Sequence, residues 1–62
     1  MPTYRLYDAD GNDMGEMRLG YVAWSPGDEI PLGAGETLRV LDVIPVEDED
    51  SPYAGLLMVE PV

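Results

Sequence analysis

The spacing of oxygen-bearing side chains from Asp8 to Asp13 resembles part of a metal site. Asp8, Asp10 and Asn12 occupy alternate positions, and Asp13 follows directly. Alternating oxygen ligands are what calcium-binding loops supply, but those loops also have glycine at the sixth position and a bidentate glutamate at the twelfth. Here the two positions hold Asp13 and Leu19. The spacing therefore predicts a polar hairpin turn, with weak divalent-cation binding by Asp8, Asp10, Asn12 and Asp13 as the alternative.

Residues that support nucleophilic catalysis are scarce. The chain has no cysteine, histidine or lysine, and its serine and threonine hydroxyls have no plausible base beside them. Carboxylates alone can do acid–base chemistry, but a chain of 62 residues has little room for a closed pocket of about 300 Å3, the lower end for ligand sites. Gly33-Ala34-Gly35 lacks the lysine and the helix of a phosphate-binding loop. The sequence predicts a protein that is not an enzyme and uses no cofactor.

Charge is the strongest compositional signal. The chain has thirteen aspartates and glutamates but only three arginines, which gives a net charge of −10 at pH 7. A field of this sign repels phosphate backbones and anionic membranes, so we expect neither direct nucleic-acid binding nor membrane binding. The consecutive acids Glu47, Asp48, Glu49 and Asp50 repel one another and predict a solvated loop. The acidity serves either solubility alone or a surface that binds a basic partner protein.

Several large side chains near the turns are candidates for a contact surface. Tyr7 and Met14 are expected on the mainly polar face of the first hairpin, and Trp24 lies in the connection after it. Tyr21 and Tyr53 lie near loops. Aromatic residues and methionine are enriched in protein interfaces, although methionine also fills cores and tryptophan commonly caps one end of a core. Together with the acidic loop, Tyr7, Met14 and Trp24 form the predicted interaction site.

Positioning these side chains requires strands, and the first two are predicted as a hairpin. The segment 3–7 alternates residues that favour β-structure, and Asp10-Gly11 suits a two-residue type I′ turn. The pairs that follow from this turn are Tyr7–Met14, Leu6–Gly15, Arg5–Glu16 and Tyr4–Met17. This register avoids directly opposed like charges. One face of the hairpin then carries the apolar side chains of Tyr4, Leu6, Met17 and Leu19.

A second hairpin is predicted after the turn signal Pro26-Gly27. A three-residue loop, Gly33-Ala34-Gly35, joins a strand over 28–32 to a long strand over 36–46. The predicted pairs are Leu32–Glu36, Ile30–Leu38 and Glu29–Arg39. Pro31 lacks a backbone donor, so its strand is expected to lie at an edge or to carry a bulge. The long strand is predicted to be central, with a bulge near Leu41 or Asp42 that keeps the acid out of the core.

A last strand is predicted over 53–59 and ends before Pro61, and no window favours a helix. The chain is therefore predicted to be one all-β domain over 1–62, a small five-stranded antiparallel barrel or strongly bent sheet, SH3-like. Closing such a barrel removes exposed edges. The alternative is an open sheet that completes its core as a homodimer.

The segments YRLYDADGND, WSPGDEIPLG and LRVLDVIPVE resemble a family of short, acidic, uncharacterised bacterial proteins. The resemblance spans most of the chain, depends on turn and strand residues, and implies no activity. The N-terminus lacks the basic start and apolar run of a signal peptide, and no apolar stretch approaches the ~20 residues of a membrane helix. A cytoplasmic location is expected.

These observations predict a non-catalytic acidic module that binds a basic partner protein, as a monomer or a homodimer. One alternative is an inhibitor that mimics nucleic acid and blocks a DNA- or RNA-binding protein, which needs carboxylates in two phosphate-like rows. A second alternative is a weakly cation-responsive domain that uses the turn from Asp8 to Asp13.

Overall fold

The computed structural model of the chain describes residues 2–20 and 24–62. Its strands are β1 (Thr3–Tyr7), β2 (Asp13–Arg18), β3 (Glu29–Gly33), β4 (Glu36–Pro45) and β5 (Gly55–Pro61). All five form one sheet in the order β2-β1-β5-β4-β3. The predicted all-β fold is confirmed, with β3 at an edge and β4 in the interior. No helix in the described part of the chain is long and apolar enough to cross a membrane.

The sheet is mixed, and the prediction of a wholly antiparallel sheet is wrong at one pairing, because β1 and β5 run parallel. Consecutive strands alternate in direction, so the first and the fifth point the same way and can pair only in parallel. Within residues 2–20 and 24–62, β2 pairs only with β1 and β3 only with β4. The sheet therefore curls into a half-barrel that stays open between β2 and β3.

The core lies on the inner face of the curled sheet. Its buried members are Tyr4, Leu6, Leu19, Ile30, Leu38, Val40, Leu57 and Val59. Met17, Trp24 and Val43 are partly buried and pack against this cluster. The inward face that the sequence predicts for the first hairpin is confirmed, since it supplies three of the buried residues and Met17.

The turn of the first hairpin holds three residues, 9–11, where the sequence predicts two. The N–H of Asp8 donates to the Asn12 carbonyl and the N–H of Gly11 donates to the Asp8 carbonyl, both at 3.0 Å. Gly11 has φ +86°, the left-handed conformation that a three-residue hairpin loop requires. The Asp8 Oδ1 accepts the N–H groups of Asp10 and Asn12 at 2.9 and 2.8 Å. These local bonds stabilise the wider turn over the two-residue one.

The wider turn shifts the pairing by one residue, so Tyr7 lies opposite Asp13 and not opposite Met14 as predicted. Met14 is then the extra residue of a β-bulge, and the bulge cancels the shift. The pairs beyond it are confirmed as predicted: Leu6–Gly15, Arg5–Glu16 and Tyr4–Met17.

The turn of the second hairpin is one residue shorter than predicted, whereas the turn of the first is one residue longer. Ala34 and Gly35 alone form the turn, with φ +52° and +79°, the type I′ conformation that matches the right-handed twist of the flanking strands. Gly33 pairs with Glu36, so Leu32, predicted opposite Glu36, is the extra residue of a second bulge. The predicted pairs Ile30–Leu38 and Glu29–Arg39 are confirmed.

A third bulge lies at Leu41 in β4, where the sequence predicts it. Val40 pairs with Val59 before the bulge, and Asp42 pairs with Met58 after it. Asp42 is exposed, and its Oδ1 accepts the N–H of Val43 at 2.9 Å. The bulge thus brings Val43 against the core and leaves the carboxylate in solvent.

The last strand begins two residues later than predicted. The N–H of Tyr53 donates to the Ser51 Oγ at 3.2 Å, so Tyr53 belongs to the preceding loop. The N–H of Ala54 donates to the Thr3 carbonyl at 2.8 Å, which brings the end of this loop beside the start of β1. The predicted turn at Pro26-Gly27 is confirmed by a bond from the Asp28 N–H to the Ser25 carbonyl at 3.0 Å.

Candidate interaction site

The open side of the half-barrel holds a groove of about 500 Å3. One wall is formed by Leu6, Met14 and Met17, and the facing wall includes Leu32, Leu38 and Pro61. Among the described lining residues, Glu36 is the only charged one. The sequence predicts little room for a closed pocket in so short a chain. An open groove between two unpaired edges provides a larger space because the chain does not have to enclose it.

Two of the apolar side chains that line this groove lie at the hairpin bulges. Met14 on one wall and Leu32 on the other are the extra residues of the two bulges, and both line the groove. They are 44% and 37% exposed, high values for large apolar side chains. The bulge re-aims Met14, which regular alternation would place on the face opposite to Met17, whereas Leu32 lies on the inner face that alternation from Ile30 gives it. Both edges of the sheet therefore present an apolar side chain to the same opening.

The structure does not bring the predicted contact residues together. Met14 lines the groove, so its predicted position on the polar face is wrong, and the bulge is the reason. Tyr7 is half-buried and by strand alternation shares the other face of β1 with Arg5. Trp24 is half-buried and packs against the core. The predicted candidate Tyr21 lies outside the described residues.

Arg5 organises a polar cluster on the outer face of the sheet. Its guanidinium pairs with the Asp13 carboxylate, and its Nη1 donates to the Tyr53 hydroxyl at 3.2 Å. The Tyr53 hydroxyl donates to the Glu16 Oε2 at 2.9 Å. The hydrogen bonds to Asp13 and Tyr53 raise the pKa of Arg5 above its ordinary value. The guanidinium, together with the Gly15 N–H, holds the pKa of Asp13 below its ordinary value.

Sequence reasoning places Arg5 opposite Glu16 but does not identify the rest of this cluster. Tyr53 lies in the loop before β5, 48 residues further along the chain, and only the parallel pairing of β1 with β5 brings it close. Asp13 joins because the wider turn places it opposite Tyr7. The cluster fastens β2 to the loop before β5 through β1.

In the predicted cation turn, the carboxylates of Asp8 and Asp13 have hydrogen-bond partners within the chain. Besides capping two backbone N–H groups, Asp8 accepts from the Asn12 Nδ2 at 3.1 Å. The bonds from Asn12 are the main cause that holds the pKa of Asp8 below its ordinary value. Across residues 2–20 and 24–62, no three Asp, Glu, His or Cys side chains are grouped to hold a metal ion. Weak cation binding at Asp8, Asp10, Asn12 and Asp13 stays a prediction.

The acidic loop lies between β4 and β5, and all four of its acids, Glu47 to Asp50, are exposed. The Asp48 Oδ1 accepts the N–H of Asp50 at 2.9 Å, and the Asp48 carbonyl accepts the N–H of Ser51 at 3.1 Å. These bonds give the loop a defined turn. Four negative charges are thus presented to solvent in this loop.

The chain matches no protein-family model, no curated protein and no solved structure. The basis for a functional assignment is therefore the arrangement of its own side chains. Two surfaces are distinctive: the apolar groove between β2 and β3, and the acidic loop.

Proposed function

We propose that this chain is a non-catalytic protein-interaction module that binds a basic partner protein. The observation that carries the proposal is the excess of exposed acid. Arg5 and Arg39 already lie beside Asp13 and Glu29 of the same chain, and the net charge is −10. A partner rich in lysine and arginine gains from this field, both in its association rate and in charge complementarity.

The acidic loop is the part of this surface that the partner contacts first. Its four exposed carboxylates are the densest run of charge in the sequence. The same loop continues to Tyr53, a half-buried ring over which the Arg5 guanidinium sits at 6.0 Å from the ring centroid. A loop that contains both carboxylates and an aromatic ring has a composition suited to an interface. The proposal includes the cytoplasmic location expected from the sequence.

Capture from an extract of the native cell tests the proposal. The immobilised chain is expected to retain a basic protein at low salt and to release it as salt increases, because screening weakens attraction between exposed charges. Retention that does not depend on salt, or the absence of any saturable basic partner, contradicts the proposal.

A pair of matched variants tests whether the loop is the contact. The double variant Glu47→Gln and Glu49→Gln removes the same charge as Asp10→Asn with Asp42→Asn, and all four residues are exposed. The loop variant is expected to weaken binding of the captured partner about threefold to tenfold, and the control by less. Equal losses show that the partner responds to the overall field and contradict the assignment to the loop.

A further inference from the structure

We infer that the groove between β2 and β3 binds an extended segment of the partner in which apolar residues alternate with lysine or arginine. This inference rests on the proposed function, since it names the part of a basic partner that the module holds. It concerns a different surface from the acidic loop. Three independent features of the groove support it: its apolar lining, its unpaired edges and its charge.

The lining favours apolar side chains. Met14 and Leu32 face the same opening from opposite walls, with Leu6, Met17 and Leu38 behind them. The volume of about 500 Å3 falls within the range of about 300–1,000 Å3 that is typical of ligand sites. Covering Met14 and Leu32 removes apolar surface from water, which is the main favourable contribution to association. The groove therefore accommodates several apolar side chains from one partner segment.

The walls favour an extended backbone. In the described part of the chain, β2 and β3 each have one neighbour in the sheet, so their outer N–H and C=O groups lie outside the ladder. An extended segment can add to such an edge through main-chain hydrogen bonds. Pro31 leaves β3 with one donor fewer, whereas β2 contains no proline. We therefore assign β2 as the edge on which the segment pairs.

Charge selects a basic segment over a second copy of this chain. Two copies joined at this groove would each carry a net charge of −10, and their mutual repulsion opposes association. Glu36 also lies on the groove wall. Side chains of an extended segment alternate between its two faces. With apolar residues directed into the groove, the residues between them face outward, and the net charge of −10 favours lysine or arginine at those positions.

Two synthetic peptides test the inference on the unmodified chain. One alternates lysine with valine and the other alternates lysine with serine, so the two have equal charge and length. The lysine–valine peptide is expected to bind about tenfold more tightly or better, since burial of even a few valines contributes more than 1.4 kcal/mol. Amide NMR shifts are expected to change most in β2 and around Leu32. Equal affinities overturn the groove assignment and leave the proposed function intact.

Matched serine variants locate the site. Met14→Ser and Leu32→Ser are each expected to weaken lysine–valine binding about fivefold to tenfold and to leave lysine–serine binding unchanged. The control is Ile44→Ser, because Ile44 is 39% exposed, close to Leu32 at 37%, and does not line the groove. Circular dichroism verifies that all three variants fold. A loss in the control equal to that in the groove variants overturns the inference.

Sedimentation of the chain alone tests whether a second copy of this chain occupies the groove. We expect a monomer across the concentration range of the binding assays. A dimer that Met14→Ser or Leu32→Ser dissociates assigns the groove to a second copy and overturns the inference. Failure of both peptides and of every basic protein to bind contradicts the proposed function as well.

Discussion

The outer strands of the two hairpins are held to the sheet by different interactions. In the second hairpin, β3 places Ile30 in the core opposite Leu38, and Ile30 is only 1% exposed. In the first hairpin, β2 has no fully buried residue. Its bonds to the rest of the molecule include polar ones, in which Arg5 donates to Asp13 and the Tyr53 hydroxyl donates to Glu16. One edge of the half-barrel depends on burial, and the other depends more on charge.

This difference shows that one architectural feature, an edge strand with a bulge, can be stabilised in two ways. Burial does not depend on pH and depends little on salt, whereas ion pairs respond to both. The two walls of the groove are therefore expected to loosen under different conditions. The following predictions test that expectation, from the largest effect to the smallest.

The largest effect is expected from Ile30→Ala. Removing most of a fully buried side chain leaves a cavity and lowers the free energy of unfolding by about 2–5 kcal/mol, a large share of the stability of any small domain. The control is Leu32→Ala, in the same strand but exposed, for which we expect about 0.5 kcal/mol or less. Urea unfolding followed by circular dichroism measures both. Similar losses for the two variants contradict the view that burial of Ile30 holds β3.

The turns are expected to contribute equally to the two hairpins. Gly11 and Gly35 both have φ near +80°, and a Cβ at either position meets no heavy atom within 4 Å. Replacing either glycine with alanine is therefore expected to lower the free energy of unfolding by about 1 kcal/mol, the penalty of the left-handed conformation for a residue with a Cβ. Ala34→Gly is the control, because Ala34 already has φ +52° and glycine removes that strain. Unfolding midpoints that fall more for one glycine than for the other contradict the equality.

Local signals in the sequence were sufficient to predict most of the strands, but not the number of residues in each hairpin turn. Alternation and Pro31 correctly predicted the edge position of β3, and Asp42 within an apolar run correctly predicted the bulge. The prediction failed at the two turns, where local side-chain hydrogen bonds and single left-handed residues decide the turn length. The hydrogen bonds of the Asp8 carboxylate favour a three-residue turn in the first hairpin. In the second hairpin, Ala34 adopts the left-handed conformation, which makes a two-residue turn possible.

The groove could not be predicted in full because one of its walls depends on the turn of the first hairpin. Leu32 lies on the inner face by regular alternation from Ile30, but Met14 lines the groove only because it became the extra residue of a bulge. The pairing of β1 with β5 joins residues about fifty positions apart, and no local pattern reports on such a contact. The acidic loop, by contrast, follows directly from four adjacent like charges, which favour exposure wherever they occur.

The attachment of β2 is expected to weaken at low pH. The pKa of Asp13 in the folded chain is lowered, first by Arg5 and then by the Gly15 N–H. The stabilisation is therefore complete above the ordinary aspartate pKa of about 3.9, and it is lost as pH falls through the lower folded value. We expect amide NMR shifts in β2 to change below about pH 4 before those in β3.

Carboxyl NMR titration of Asp13 in two arginine variants tests the cause. Arg5→Gln is expected to raise the pKa of Asp13 toward its ordinary value, since the largest cause of the lowered pKa is removed. Arg39→Gln is the control, because Arg39 pairs with Glu29 in the other hairpin, and it is expected to leave the Asp13 titration unchanged. An unaltered Asp13 pKa in Arg5→Gln contradicts the role of this ion pair.

The smallest effect is expected from salt. With a net charge of −10, mutual repulsion opposes the compact state, and about 0.15 M sodium chloride shortens the screening length to about 8 Å. The folded chain holds its charges closer together than the unfolded chain does, so screening favours folding. We expect the thermal midpoint to rise by a few degrees across a sodium chloride series. The variant Glu47→Gln with Glu49→Gln should show a smaller rise.

Salt is expected to stabilise the two edge strands, β2 and β3, by different amounts. Salt relieves the general repulsion at both edges, but it also weakens ion pairs. The hydrogen-bonded pair of Arg5 and Asp13 holds β2. The pair of Arg39 and Glu29 at β3 is longer, at 3.9 Å, and the contact of Ile30 with the core does not respond to salt. Amide hydrogen exchange at constant pH should therefore show protection rising more in β3 than in β2. Equal gains at both edges contradict the contrast between them. A midpoint that stays flat or falls with salt shows that the acids are already well dispersed or locally paired, because then screening removes as much attraction as repulsion.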